Sequence, residues 1–267
     1  MGISVATWNI NSVRLRIGNV ERLLKEWQPD VLCLQETKCP QGQFPSSSLK
    51  ELGYSHIAEF GQKGYHGVAI VSRLPFTAQH SHDFCAKGDS RHVSVTFAGD
   101  TPIELHNFYI PAGGDEPDPK INEKFAHKLQ FLDELLSWSK KAAKRKAHRI
   151  LVGDLNIAPL PNDVWSHKDL LKVVSHTPVE TEAMQGIIAA GDWHDVMRRH
   201  VSAEEKLYTW WSYRAKDWDL VNKGRRLDHI WASQGLAEHS GNLRINREAR
   251  GWTQPSDHAP VMVHFDV

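Results

Sequence analysis

Ile150-Leu151-Val152-Gly153-Asp154-Leu155-Asn156 is the stretch on which the reading of this chain turns. An apolar run reaches Val152, and a carboxylate and a carboxamide then follow two residues apart. Side chains of an extended strand alternate between faces, so the spacing predicts that Asp154 and Asn156 point the same way. Gly153 has no side chain, which lets backbone or ligand come close there. Alone, an Asp-x-Asn after an apolar run is an ordinary strand end turning into a loop. Three other stretches share the form: residues 3–8 run into Asn9-Ile10-Asn11, residues 30–34 into Gln35-Glu36-Thr37-Lys38, and Asp257-His258 borders the apolar residues 259–265.

Working outward, a helix is expected over residues 17–27, where Ile17, Val20, Leu23, Leu24 and Trp27 share one face and Pro29 ends it. Residues 30–34 are apolar almost throughout, as in a strand buried on both faces. A short helix at 47–52 leads to strands at 54–60 and 68–72, separated by a Gly-rich turn. Strands follow at 91–97 and 103–109, then a Pro/Gly loop at 111–119. The next helix is read from Ile121, Phe125, Leu129, Leu132 and Leu136, and its end is basic, from Lys140 to Lys146. A helix over 180–190 is expected to stop at Gly191 as its left-handed terminator, with Asp192 capping another helix through Met197. Residues 227–232, 243–246 and 259–265 are the last strands. No linker, composition break or repeat divides the chain, so one domain over residues 1–267 with two packed sheets and outer helices fits better than a single doubly wound sheet.

Composition sets the bounds. A chain of 267 residues hides about 70–75% of its unfolded surface. With 40% hydrophobic and 24% charged residues it reads as an ordinary soluble globular protein. The net charge is zero, so any attraction for an anion must come from local patches. Cys33, Cys39 and Cys85 are odd in number and lack CxxC spacing, which argues against a disulfide framework or zinc site and for a reducing cytosol. No basic-then-apolar leader and no apolar run of about 20 residues is seen, so neither a signal peptide nor a spanning helix is expected. Most of the ten tryptophans should be core.

The polar strand ends make a chemical set: Asn9 with Asn11, Glu36, Asp154 with Asn156, Asp257-His258, and Asp228 from Arg226-Leu227-Asp228. Carboxylates, carboxamides and one imidazole without a thiol suit Mg²⁺ or Mn²⁺ rather than zinc. Glu36 is the main candidate ligand, with Asp257 and Asn9 near the ion. Such a set suits water attack on a phosphodiester, which needs a group for the water proton, a cation on the phosphate, and donors for growing charge. Asp154 is the candidate base and Asn156 the amide donor; His258 would touch a phosphate oxygen, with Asp228 orienting it.

The motifs Trp8-Asn9-Ile10-Asn11, Leu34-Gln35-Glu36-Thr37-Lys38, Tyr109-Ile110-Pro111, Gly153-Asp154-Leu155-Asn156, Arg226-Leu227-Asp228 and Ser256-Asp257-His258 resemble, in order, the exonuclease III family. These are Mg²⁺-dependent abasic-site DNA-repair nucleases of the endonuclease/exonuclease/phosphatase superfamily. The resemblance implies a four-layer α/β sandwich, two mixed sheets face to face with helices outside. It implies Glu36 and Asp257 as carriers of Mg²⁺, with Mn²⁺ as a substitute, and puts Asn9, Asp154, Asn156 and His258 around the ion. Tyr109 maps onto a catalytic position beside the scissile phosphate. The implied activity cuts the backbone 5′ to an abasic site and also works from 3′ ends, on double-stranded DNA, as a cytoplasmic monomer without membrane contact. An abasic nucleotide saves a few kcal/mol of unstacking, so it is the easier one to extrude.

Two positions depart from the family pattern. Ala112 stands where relatives often carry Asn or Gln, and Arg225 where the pocket wall is often Trp or Leu. The segment 208–226 interleaves Tyr208, Trp210, Trp211, Tyr213, Arg214, Lys216, Lys223, Arg225 and Arg226, as a loop pressed into a DNA groove would, with Trp211 expected in the core. Asn11, Lys38, Trp210, Arg214, Arg225, Leu227 and His258 form the expected DNA-facing set. The basic run 140–149 reads as a solvated helix end, and His56, His66, His80, His82 and His106 have no ligand spacing. Two rivals stand beside this reading: a superfamily phosphoesterase for a small phosphorylated substrate, and a non-catalytic DNA-binding module.

Overall fold

The computed structural model describes residues 2–266. Its strands are β1 (Gly2–Asn9), β2 (Val31–Gln35), β3 (His56–Phe60), β4 (Val68–Ser72), β5 (Ala78–His80), β6 (His92–Phe97), β7 (Ile103–Tyr109), β8 (His148–Asp154), β9 (His194–Asp195), β10 (Trp210–Trp211), β11 (Gly224–Arg225), β12 (Asp228–Ala232), β13 (Ser240–Ile245) and β14 (Val261–Asp266). Two six-stranded sheets result, ordered β13-β14-β1-β2-β4-β3 and β5-β6-β7-β8-β12-β9, beside a small β10–β11 ribbon. Both are mixed, since β1 with β2 and β7 with β8 run parallel while their other neighbours run antiparallel.

The inner faces meet in one apolar layer, with Val5, Val31 and Ile70 from the first sheet against Val93, Leu105 and Val152 from the second. The helix Ile17–Trp27 covers the first sheet's outer face through Val20, Leu23 and Leu24. The helices Glu123–Ala142 and Pro178–Gly191 cover the second through Phe131, Leu135, Met184 and Ile187. Helix, sheet, sheet and helix make the four layers of an α/β sandwich. Each fully buried Val, Leu or Phe removes apolar surface worth about 1.5–3 kcal/mol from water. β2 and β4 are buried at every position, which is why they read as near-continuous apolar runs without alternation, and β12 is equally buried although it opens with Asp228 and His229.

Strand register gathers the polar ends. Asn9 is opposite Gln35, the residue before Glu36; Tyr109 and Asp228 are both opposite Asp154 from its two sides. Below this edge the sheets are tied by a buried amide clamp. Gln35 Nε2 donates to Asn107 Oδ1 at 2.7 Å, and Asn107 Nδ2 donates to the Leu34 and Ala69 carbonyls, each at 2.9 Å. Breaking one side would strand a buried polar group at a cost of about 1–3 kcal/mol.

The structure corrects four local expectations. Ile121 is 74% exposed and precedes its helix, whose buried face is Phe125, Lys128, Phe131, Leu132, Leu135, Ser139 and Ala142. A lysine and a serine interrupt that stripe, so the apolar spacing marked a face rotated well away from the centre of the buried one. Gly191 stays helical; Asp192 takes the left-handed position at φ 50, and Asp195 caps the helix Val196–His200. Glycine is needed at 191 because a side chain there would overlap the Trp193 indole. The close approach expected at Gly153 is present and is made by backbone, since a Cβ would overlap the Phe108 carbonyl. Asn156 lies beyond β8 in a left-handed turn, at φ 53, so a turn and not pleat alternation returns it to Asp154.

Candidate active site

Asn9 sits at the centre of the gathered strand ends. Its Nδ2 donates to Glu36 Oε1 and to Asp154 Oδ2, both at 2.8 Å, joining a carboxylate of the first sheet to one of the second. Tyr109 Oη also donates to Glu36 Oε1, at 3.0 Å. Lys38 Nζ lies 2.8 Å from Glu36 Oε2 and donates to Asn11 Oδ1 at 2.6 Å. Asn11 Nδ2 reaches Asp257 Oδ1 at 3.3 Å, and Trp210 Nε1 donates to Asp257 Oδ2 at 2.9 Å. Asn11, Glu36, Lys38 and Asn156 all adopt left-handed backbone, at φ 48, 48, 47 and 53. Non-glycine residues held there cost roughly 1–3 kcal/mol each and tend to mark functional sites.

The floor of the site is buried. Asp154, Asp228 and His258 are 1%, 0% and 4% exposed. His258 Nδ1 lies 2.8 Å from Asp228 Oδ2, and Nε2 lies 3.6 Å from Asp154 Oδ2. Burial alone would lower the imidazole's pKa, but the Asp228 and Asp154 carboxylates outweigh it and push the ring up to about 10. Burial, with the Asp228 charge added, pushes the Asp154 carboxyl up to about 7 against the lowering pull of His258 and Asn9. Glu36 goes the other way: burial would raise it, and Lys38 with the Asn9 hydrogen bond holds it low. Burial and the Glu36 and Asp154 charges keep the Tyr109 phenol protonated. The site therefore pairs an ionised carboxylate with one poised near neutrality, beside a cationic imidazole and a neutral phenol.

These groups open into a cleft of about 680 Å³ whose walls include Trp210, Arg214, Arg225 and Leu227. Arg225 is tied down: Nη1 donates to Ser175 Oγ at 2.8 Å and to the Val174 carbonyl at 3.1 Å, and the guanidinium lies 5.2 Å from the Trp210 ring centre. Asn156 donates from Nδ2 to Ile110 O at 2.9 Å and to Asp154 Oδ2 at 3.1 Å. Trp211 is buried, as expected of a core tryptophan.

The catalytic, metal-ligand and DNA-facing candidates thus gather at one edge of the sandwich, but Arg226, read as part of the DNA-pressed loop, is fully buried and paired with Asp163 and Asp195. Reading the sequence missed the supports. Trp8 Nε1 donates to the His258 carbonyl at 2.9 Å, and Ser256 Oγ donates to the Asn9 carbonyl at 2.6 Å. Trp210, expected to face DNA, also orients Asp257. Their signal was position within the quoted motifs, which names the residue but not its partner.

The donor set suits a hard cation. Carboxylate and carboxamide oxygens dominate, thiols are absent from the site, and Glu36 and Asp257 line the cleft itself. Among the described residues, Asp154, Asp228 and His258 also hold their donor atoms within 4.8 Å of one another. That grouping is better read as a buried charge cluster, because His258 is hydrogen-bonded to Asp228 through Nδ1 and holds Nε2 3.6 Å from Asp154.

Comparison with known proteins agrees. A family described as Endonuclease/Exonuclease/phosphatase matches residues 6–258. The chain is 31% identical over 271 residues to exodeoxyribonuclease III of Haemophilus influenzae, covering 97% of this chain and 98% of that one. A 3′ phosphatase from Neisseria bound to product DNA hairpin superposes with a TM-score of 0.91 at 31% identity, over 99% of this chain and 100% of that chain. An AP endonuclease from Archaeoglobus fulgidus gives 0.90 at 32% identity, again over 99% and 100%.

Proposed function

The chain belongs to the exonuclease III family, within the endonuclease/exonuclease/phosphatase superfamily, and from that premise we propose that it is a DNA-repair phosphodiesterase that cuts 5′ to abasic sites and processes 3′ ends. The observation that carries the reading is the Asn9 amide bridging Glu36 to Asp154, with the Asp228–His258 pair alongside, where Glu36, Asp154 and His258 line one cleft. The whole of residues 1–267 acts as one catalytic domain, as a monomer in the cytoplasm. The family is metal-dependent, and the ion proposed here is Mg²⁺, with Mn²⁺ as a substitute.

Glu36 and Asp257 would hold the cation, with Asn9 beside them. When bound, the ion neutralises phosphate oxygens and the charge that grows on them. Asp154, poised near neutral pH, accepts the proton of the attacking water. His258, kept cationic by Asp228, donates to a phosphate oxygen, and Asn156 and protonated Tyr109 supply neutral donors. Trp210, Arg214, Arg225 and Leu227 line the cleft and shape the pocket for the extruded sugar, and Lys38, hydrogen-bonded to Asn11, would face the backbone. The Neisseria relative's product DNA hairpin supports DNA as the substrate class.

The test is a panel of three substrates: a duplex with one abasic analogue, a duplex ending in a 3′-phosphate, and a soluble phosphomonoester. Incision of the abasic duplex that leaves a 3′-hydroxyl, together with processing of the 3′-phosphate, is expected. Faster turnover of the soluble ester than of either duplex would favour the small-substrate phosphoesterase instead.

A further inference from the structure

Two sides of the cleft meet beneath its floor on a single buried ion pair. Lys128, on the helix Glu123–Ala142, and Glu180, on the helix Pro178–Gly191, are both 0% exposed, with Nζ and Oε1 2.5 Å apart. The ammonium also donates to the Asn156 carbonyl at 2.8 Å and the Ala112 carbonyl at 3.3 Å. The glutamate accepts from Ser175 N at 3.0 and 2.9 Å, from Thr177 N at 3.2 Å and from Thr177 Oγ at 2.6 Å. The ammonium thus reaches three acceptors, and both carboxylate oxygens are engaged. A buried pair is a weak source of stability, because desolvation offsets the attraction. What this pair supplies is register between segments that share no sheet.

Both tied segments carry cleft residues in strained backbone. Asn156 sits at φ 53 and presents its carbonyl to Lys128. Ser175 sits at φ 87, gives its N–H to Glu180 and accepts from Arg225 at its hydroxyl. Neither conformation persists unless its surroundings hold it. We propose that Lys128, neutralised by Glu180, is a positioning residue that sets the Asn156 amide and the Ser175–Arg225 wall in one register. The proposal rests on Asn156 being a donor in the hydrolytic site.

The test pairs Lys128→Met with Glu180→Gln, so that no uncompensated charge is buried. The paired variant, Asn156→Ala and their combination are compared with wild type on the abasic duplex, with folding followed by circular dichroism. A loss in kcat of about 10- to 100-fold with KM within about threefold is expected, the scale of a roughly 1 Å misplacement. Asn156→Ala should then cost clearly less in the paired background than in wild type, because coupled residues are not additive. Wild-type kcat in the folded paired variant, or losses that multiply in full, would overturn the proposal. Should the paired variant not fold, Glu180→Asp, which keeps the pair neutral but draws the carboxylate back by one methylene, carries the same kcat loss at smaller size, and an unchanged kcat there is equally contrary. Wild-type cleavage of the duplex reads the nuclease assignment, and the variant-to-wild-type ratio reads the positioning role, so the two fail separately.

Discussion

The second sheet carries two polar clusters, and they are built on opposite principles. One is the cleft at the Asp154 edge. The other is a cavity of about 370 Å³ lined by His80, His82, His92, Glu104, His106 and Arg145, among others. In the second, hydrogen bonds run in one direction. The His82 N–H donates to His92 Nδ1 at 3.1 Å, which puts the His92 proton on Nε2; that N–H meets His106 Nδ1 at 3.2 Å. The His106 proton is then on Nε2, which faces Glu104 Oε2 at 3.5 Å as a long polar contact and not a formed hydrogen bond, and Arg145 donates to the same carboxylate at 2.8 Å. Burial keeps both inner imidazoles neutral, and His106 and Arg145 hold Glu104 down to about 2. In the cleft, by contrast, Asp154 and His258 are pushed up together, and strained residues ring the carboxylates. A cluster at rest has settled its protons; a cluster built for chemistry keeps one carboxyl near the solution pH.

Four substitutions break or sharpen this contrast. The largest effect is expected from Asp154→Asn: turnover on the abasic duplex should fall by roughly three to four orders of magnitude, the scale on which members of a catalytic unit matter, while DNA binding persists. Near-normal turnover would remove Asp154 as the base. Glu36→Ala should come next, raising the Mg²⁺ concentration for half-maximal rate by about tenfold or more, as loss of a ligand does; an unchanged metal titration would reject it as a ligand. Arg225→Ala should shift the ratio of abasic incision to 3′-end processing by about 10-fold or less, within what one pocket contact can discriminate. Equal loss on both substrates would reduce Arg225 to a general phosphate contact.

The smallest effect belongs to the resting cluster. Glu104→Gln should leave turnover within about twofold and destabilise the fold at neutral pH by about 1 kcal/mol, after discounting for the partial exposure of Glu104. The pKa of Glu104 is lowered on folding, so its contribution is present above the unfolded value and fades as pH falls from 4.5 toward 2. Thermal melts of variant and wild type should therefore converge over that range. A gap that widens on acidification would reverse the sign and refute the polar chain.

The active site was legible because its residues sit where apolar runs stop. Parallel β1–β2 and β7–β8 pairing, with β12 antiparallel to β8, carries those stops to one edge, so Asn9, Glu36, Tyr109, Asp154 and Asp228 needed no long loops to meet. The two-sheet architecture followed from the same strand count. What stayed hidden depends on partners distant in sequence. Lys128 reads as a break in an apolar stripe until Glu180 is beside it, and Gln35 reads as a motif letter until Asn107 accepts from it. Asn156 was placed correctly for the wrong reason, since a left-handed turn did what strand alternation was expected to do. Helix ends at Asp192 and Asp195 turned on Trp193 packing against Gly191, which no local pattern records.

The central claim is that oxygen atoms from separate strand ends hold a divalent cation against a DNA linkage while Asp154 draws the proton from water. It is tested most directly by stripping the protein with EDTA and titrating Mg²⁺ back on a duplex with one abasic analogue, reading both rate and end groups. The account predicts no incision without metal, and restored incision on the 5′ side of the lesion leaving a 3′-hydroxyl. Incision that continues at full rate in EDTA would contradict it.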